Sequence, residues 1–436
     1  MNDLVALARK HSDQSELYSI EQTENLVTVE DSKLQDIKST MHSGVTIRLI
    51  KNHKLGFAYT RNPQAAEPLV KNALDSLKGG VEARFNFPVA NTVPQLSTYD
   101  ERISEATNTV LVDECMRVCS LLQEKTKAQI NIDAETMINV IRIMNSAGTD
   151  LSTASSFYAI TAMILYPGTA TGIHKSYVFK AFQKLDEQNL NALAEIYNHG
   201  QRELKTTSGR MKVLFMPESM YTLSWRVQSA TSGESLFHKQ SPLAGKLDEK
   251  IFSEKLTIVD NPLDDTKPDA RPFDDEGVPC RKFVLVGNGV LRNYYYDLNY
   301  AAKLDAEPTG HGFKTSRWGG ETISMKPSPA LKYLNFEPGE HDFRRLIKSM
   351  DRGIIVCGAL GAHSGNIPNG DFSIGLAPGL YVENGEIAGR IKDAMITGNI
   401  YEVMKRVIAV ENRAHVAYTG YYPAVLFDDV TVATKN

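Results

Sequence analysis

The sequence predicts an α+β protein in two parts, an N-terminal domain over residues 1–204 and a C-terminal domain over residues 205–436. Three observations carry that expectation. Strand-like runs with period-2 alternation follow one another without a helix between each pair, which favours antiparallel pairing over a doubly wound sheet. The helical segments among them are few and long. From about Lys212 the texture changes to many short strand-like pieces separated by Gly-, Asn- and Asp-rich turns. The first domain should therefore hold antiparallel or mixed strands with long helices. The second should be mainly β-sheet with a few helices.

Taken in order, "MNDLVALARKHSDQ" reads as a short amphipathic helix starting after Asn2 and lacks the basic-then-apolar order of a signal peptide. "LYSIEQTENLVTVE" and "GVTIRLI" alternate at period 2, and "GVTIRLIKNHKLGFAYT" reads as a hairpin turning at Lys51, Asn52, His53 and Lys54. "NPQAAEPLVKNALDSLKGG" is helical, with Leu69, Ala73 and Leu77 on one face and a stop at Gly79 and Gly80. Residues 81–101, richer in Pro, Asn and Thr, form a connection. A long helix over 103–127 carries the apolar stripe Leu111, Cys115, Val118 and Leu122. Strands follow in "AQINIDAETMINVIRIMNSAG", "SSFYAITAMILYPG" and "HKSYVFKAF", then a helix over 186–198.

In the second part "MKVLFMPE" is a strand ending at Pro217. "ESMYTLSWRVQSAT" is a helix with Met220, Leu223 and Val227 on one face. "KLTIVD", "RKFVLVGNGVLRNYYYD", "GLYVENGEIAGRI" and "AVLFDDVTVA" are strand-like, with Asn288-Gly289 and Asn384-Gly385 as turns. "HDFRRLIKSM" and "NIYEVMKRVIAV" are expected to be helices.

Composition narrows the function. Apolar residues make up 42% of the chain, and 48 basic residues face 52 acidic ones, giving a net charge of −4. No long basic run is present, so contact with nucleic acid is not expected, because phosphate neutralisation needs clustered Lys and Arg. No stretch approaches the ~20 apolar residues of a membrane span; "GIIVCGALGA" is too short and too rich in glycine. Cys115, Cys119, Cys280 and Cys357 do not form a disulfide framework. A cytoplasmic protein with reduced thiols is expected.

Local catalytic motifs are missing. No H-E-x-x-H places two imidazoles on one helix face, although a zinc site from distant residues such as His363 with Cys357 or Glu234 stays open. "DFSIG" has Asp371 where a G-x-S-x-G elbow needs its first glycine. "GNGVLR" lacks the third glycine of a dinucleotide loop. The stretch "GALGAHSGNIPNGDFSIGLAPG" (358–379) is either a loop bringing backbone N–H groups to a ligand or a string of turns. Asp274, Asp275 and Glu276, in "DARPFDDEG" from Asp269 on, either bind a cation through oxygen or form a solvated turn. His238, beside Phe237 and Lys239, reads as a surface or hydrogen-bonded residue, and Glu234 as a turn residue satisfying backbone donors.

An ordered set of segments resembles the TldD/PmbA family, peptidase-type proteins historically labelled modulators of DNA gyrase. The carriers are "GVTIRLIKNHKLGFAYT", "NSAGTDLSTASSFYAITA", "EKIFSEKLTIVDNP", "FDDEGVPCRKFVLVGNGVLRNYYYDLNYAAKLDAEPTGHG", "NGDFSIGLAPGLYVENGEI" and "MITGNIYEVMKRV". They span nearly the whole chain. The resemblance implies that TldD-type members carry H-E-x-x-x-H on a helix just before the counterpart of Gly233-Glu234-Ser235, with a late cysteine completing a zinc site. Here that helix reads "RVQSAT" (226–231), and the last thirty residues hold no cysteine. The pattern is similar to the PmbA (TldE) branch, which lacks the ligands.

The resemblance therefore implies no catalytic or metal-binding residue and no cofactor in this chain, with zinc in a TldD-type partner. It implies a heterodimer with that subunit, or a homodimer, enclosing a cleft for an extended peptide. Glu234, His238, Asp275, His311, His363, Asn366, Asp371 and Phe372 are the candidates for lining it. Two alternatives stay open. One is a self-sufficient peptidase with a relocated site drawn from His238, His311, His363, Asp275 and Asp371. The other is a non-enzymatic, protein-binding modulator.

Overall fold

Period-2 alternation in the first half becomes one continuous antiparallel sheet. The computed structural model describes residues 2–434 except Pro63, Ala65, Asn91, Asp269, Arg317, Trp318, Tyr418 and Thr419, with the backbone alone for Asn2. Helix α1 (Asn2–Arg9) precedes β1 (Gln14–Glu30), β2 (Lys33–Lys51) and β3 (Lys54–Thr60). Helices α2 (Ala66–Ser76) and α3 (Asn108–Thr126) follow, then β4 (Gln129–Asn145), β5 (Asp150–Leu165), β6 (Gly172–Phe179) and α4 (Glu187–His199). Among the described residues the strand order is β3-β2-β1-β4-β5-β6, every pair antiparallel. Turn chemistry is local. Asp31, Ser32, Asn52 and His53 have φ of 49, 64, 50 and 58°, the left-handed pairs that two-residue type I′ hairpins require.

The register sorts side chains between two environments. Odd residues of β1 share a face with even residues of β4 and β5. There Val27, Val29, Ile130, Ile132 and Ile160 pack with α3 and α4, and Leu17, Ile47 and Leu49 with α1 and α2. The opposite face turns toward the second half of the chain. It carries Glu16, Tyr18 and Arg48 at one end and Asp133, Glu135, Thr161 and His174 at the other.

Helix α3 starts at Asn108, later than the expected residue 103. A separate 3-10 turn covers Glu101–Glu105, and the Thr107 hydroxyl then accepts the Val110 N–H as the true N-cap. The connection over 81–101 is packed rather than loose: Ala83, Phe85, Phe87 and Ala90 are buried between the two halves.

The second half opens with β7 (Glu203–Leu204), β8 (Gly209–Phe215), a 3-10 turn (Pro217–Ser219), α5 (Tyr221–Thr231), α6 (Gly233–Phe237) and β9 (Ile258–Asp260). Next come β10 (Phe283–Gly287), β11 (Val290–Leu291), α7 (Leu298–Lys303), β12 (Gly312–Phe313), β13 (Ser328–Pro329) and β14 (Leu334–Phe336). Helix α8 (Phe343–Lys348), β15 (Arg352–Val356), β16 (Ala359–Leu360), β17 (Asp371–Leu376), β18 (Gly379–Glu383) and β19 (Glu386–Ile391) follow. The chain continues through β20 (Ala394–Asn399), α9 (Ile400–Val403), β21 (Val407–Val410), β22 (His415–Ala417), β23 (Gly420–Tyr422) and β24 (Val425–Thr434).

Among the described residues one sheet orders as β16-β17-β20-β24-β8-β15-β18-β19-β7, with β21 on β24, and a second as β11-β10-β9-β14-β23-β22. Central strand β8 is covered on both faces over Val213–Phe215, as that apolar run requires. Val213 and Phe215 pack with α5, and Leu214 with residues of α4 from the first half. The expected helix "NIYEVMKRVIAV" is corrected: only Ile400–Val403 is helical, and Val407–Val410 pairs with β24. Its β-branched residues fit a sheet edge, and pairing overrides the helical periodicity.

A buried charge network joins the halves. Arg48, 3% exposed, donates from Nε to Glu16 Oε1 at 2.7 Å and from Nη1 to Glu276 Oε1 at 2.6 Å. Glu276 Oε2 accepts the Leu298 N–H at 2.7 Å. Asp274 accepts the N–H groups of Glu276, Val278 and Gly312, and Asp275 accepts Arg271 Nη2 and the Lys314 N–H. The solvated-turn reading of Asp274, Asp275 and Glu276 is therefore corrected, since all three are at most 2% exposed. Asp269 lies outside the described residues. Burial lifts the Glu16 carboxyl to about 7 against the pull of Arg48. Burial, reinforced by Arg48, lowers the Lys314 ammonium to about 7.

Replacing Arg48 with Met should leave two buried carboxylates without their cation and cost about 3–5 kcal/mol, read from the urea midpoint. The folded state holds the Glu16 proton more tightly than the unfolded chain, so this group's contribution falls as pH rises from 4.5 to about 7. Without Arg48 that window extends upward, and the loss should be larger at pH 8 than at pH 5. An R48M midpoint unchanged at both pH values would remove the network from any structural role.

Candidate functional site

Strand β8 delivers the chain to the centre of the molecule and stops at Pro217, which opens the 3-10 turn. Ser219 locks that turn, its hydroxyl donating to the Met216 and Val356 carbonyls at 2.9 and 2.8 Å. Helix α5 follows and is buried on its polar sides as well as its apolar face. Thr222, Ser224, Arg226, Gln228 and Thr231 are buried alongside Leu223 and Val227. The sequence foresaw only the face of Met220, Leu223 and Val227.

Arg226 explains the buried polar side. It is 0% exposed and reaches four backbone carbonyls. Nε donates to Asp371 at 2.6 Å, Nη1 to Thr222 at 2.7 Å, and Nη2 to Ala362 at 3.1 Å and Ser364 at 2.7 Å. Its guanidinium lies 5.8 Å from the Phe372 ring centroid. Burial lowers its pKa to about 10, so it stays charged at neutral pH. Three of the four carbonyls belong to the glycine-rich segment and the start of β17. The loop thus turns C=O groups inward to a cation of the protein itself. Glycine is required where the loop doubles back: at Gly365 (φ 92°) an added Cβ would meet the Asp371 carbonyl at 2.7 Å.

The eight candidates fall in three places. His363, Asn366 and Asp371 are exposed and Phe372 is buried, all on the segment that Arg226 holds. Asp371 Oδ1 accepts Asn399 Nδ2 at 2.9 Å, and Phe372 packs edge-on against Phe215. Glu234 on α6 and His238 just after it are exposed and share the Tyr300 hydroxyl, at 3.2 Å from Glu234 Oε1 and 3.4 Å from His238 Nε2. Asp275 and His311 are buried with separate partners: Asp275 with Arg271, and His311 with Thr309 at 2.8 Å and Asp260 at 3.4 Å. Among the described residues no three His, Cys, Asp or Glu side chains are grouped closely enough to hold a metal ion.

A cavity lies elsewhere, between the two halves. One lobe of about 500 Å³ and a neighbouring one of about 360 Å³ both reach Thr161, His174 and Glu218. The floor is the second-half-facing side of β4, β5 and β6, with Asp133, Glu135, Thr161 and His174. The roof comes from the turn at Glu218, from Tyr333 and Tyr421, and from Gly358 to Leu360. Glu218 and His174 escaped the sequence reading. The available signal was a charged residue directly after the apolar run Val213–Pro217, in "MKVLFMPE".

The donor set does not fit a zinc ion at 226–231. Arg226 is a cation with only N–H donors, Val227 is apolar, and the Thr231 hydroxyl is turned back to the Val227 carbonyl at 2.8 Å. Zinc needs imidazole, thiolate or carboxylate.

Comparison with known proteins agrees with this layout. Residues 208–434 match the family described as PmbA/TldA metallopeptidase C-terminal domain, and residues 15–77 that described as PmbA/TldA metallopeptidase domain 1. A metalloprotease of Methanothermobacter thermautotrophicus is 28% identical over 88% of this chain and 85% of its own length. The crystal structure of TldE from Thermococcus kodakarensis superposes with a TM-score of 0.91 at 24% identity, covering 99% of each chain. A putative modulator of a DNA gyrase from Thermotoga maritima does so with 0.84 at 26% identity, again over 99% of each. A six-stranded first half clamped to a β-rich second half, with family matches on both, establishes that the chain belongs to the TldD/PmbA family of metallopeptidases.

Proposed function

We propose that this chain is a metal-free, PmbA/TldE-like member of the family and serves as the structural, substrate-guiding subunit of a peptidase acting on unfolded peptides. The observation that carries the reading is Arg226. The family resemblance puts H-E-x-x-x-H on this helix. Here that region holds a buried guanidinium, committed to four carbonyls. A cation so placed repels a second cation and offers it no lone pair.

In this reading the chain pairs with a zinc-bearing TldD-type subunit in the cytoplasm, or with itself where that subunit is absent, and the partner supplies the hydrolytic chemistry. The cleft between the halves holds the peptide in extended form. Its roof includes β16, the terminal strand of the large sheet among the described residues, and a sheet edge suits recognition of backbone over sequence.

The reading is tested by purifying the chain alone, measuring zinc by elemental analysis, and following cleavage of a reduced, unfolded protein with and without a zinc-bearing TldD-type subunit. Cleavage should appear only with the partner. Stoichiometric zinc and EDTA-sensitive cleavage by the lone chain would overturn the assignment.

The anchor has its own test. Arg226→Met keeps the length of the side chain and removes its five donors. Loss of charge-assisted bonds worth about 1.5–3 kcal/mol each should speed amide exchange over 361–371 by roughly tenfold or more. Unchanged protection there would show that the segment stands without Arg226.

A further inference from the structure

Glu218 is a buried carboxyl group that neither the fold nor the proposed function uses. It follows Pro217 in the turn after β8 and is 4% exposed. Among the described residues neither of its carboxylate oxygens finds a hydrogen-bond partner. Both lobes of the cleft are lined by it. A carboxylate taken out of water without a counter-charge costs several kcal/mol, so a persistent one calls for an explanation.

The neighbouring cations are engaged elsewhere. The Lys332 ammonium, also at the cleft, sits 5.4 Å from the Phe313 ring centroid. Lys175, on β6 next to His174, contacts His415 Nδ1 at 3.2 Å. The floor adds charge of the same sign as Glu218, from Asp133 and Glu135. Burial holds the Glu135 carboxyl above its usual value, with Glu24 and Asp133 adding to the rise. Asp133 keeps one oxygen on the Thr28 hydroxyl at 2.9 Å. The ring of Tyr333 lines the same cavity, and such rings favour cations at their faces; the Tyr421 ring beside it already carries the Lys267 ammonium, 3.9 Å from its centroid.

We propose that the cleft binds the ammonium or guanidinium group of an extended peptide, with Glu218 as its counter-charge. The inference rests on the peptide-guiding role above and adds a substrate class to it. The preferred peptides carry a basic side chain within the bound stretch or a free N-terminus at its end. Binding places a cation against the lone carboxylate, replacing the interaction with water that burial removed.

The test uses the full chain and four fluorescently labelled heptapeptides. Three are N-acetylated and differ only at the central residue, which is Lys, Arg or norleucine. The fourth is the norleucine peptide with a free N-terminus. Dissociation constants come from fluorescence anisotropy, for the wild type and for Glu218→Gln, whose folding is checked by thermal melting.

The acetylated Lys and Arg peptides should bind the wild type about tenfold or more tightly than acetylated norleucine, and E218Q should erase the difference. If the gain appears instead with the free N-terminus, the terminal ammonium is the bound group. The wild-type comparison stands even if E218Q does not fold. Equal affinities for all four peptides, or a preference that survives in E218Q, would overturn the role of Glu218 while leaving peptide guiding intact. Failure of every peptide to bind would overturn both.

Discussion

The guanidinium of Arg48 is the constraint on which the rest of the arrangement depends. It lies between Glu16 of the first sheet and Glu276 of the second half, over the ring of Phe87 from the connection between them. Three parts of the chain, far apart in sequence, are thus tied at one buried point. Such a site tolerates little displacement, because any carboxylate that lost its donor would be stranded in a medium of low dielectric. The adjacent carboxylates of Asp274 and Asp275 extend the tie to β12 through the N–H groups of Gly312 and Lys314.

The cleft is a consequence of that clamp. Its floor and its roof come from different halves of the chain, so the gap between them exists only while the halves keep their relative placement. The sheet that provides the floor has two chemistries on one face. Near Glu16 and Arg48 it is sealed against the second half with apolar support from Tyr18, Ile143 and Phe273. Near Asp133 and His174 it stays open and polar. The register of six paired strands carries the rigidity of the sealed end to the open one.

Arg226 does for the second half what Arg48 does between halves. Its guanidinium satisfies one carbonyl of its own helix, that of Thr222, and three of the glycine-rich segment and the start of β17, and so holds that segment against the helix. In a family named for metal-dependent proteolysis, the same helix here carries a resident cation. The segment it holds ends in the strand β17, beside β20 in the large sheet, so this one side chain joins the helix to that sheet.

Several features could be read from the sequence alone because they depend on neighbours a few residues away. Period-2 alternation set the strands of the first sheet, paired Asn-Gly residues set the later hairpins, and apolar stripes set α2 and α3. The absence of histidines over 226–231 could be read just as directly. Tertiary structure decided the remainder. Val407–Val410 became a strand because β24 offered it an edge. Asp274, Asp275 and Glu276 were buried because distant donors, Arg48 and the N–H groups of Gly312, Lys314 and Leu298, came to meet them. Glu218 faces the cleft because β8 ends where two halves of the chain converge. Local patterns report what a segment prefers; whether a charge is solvated, paired or left alone depends on groups brought to it from elsewhere in the chain, and that information is carried by packing.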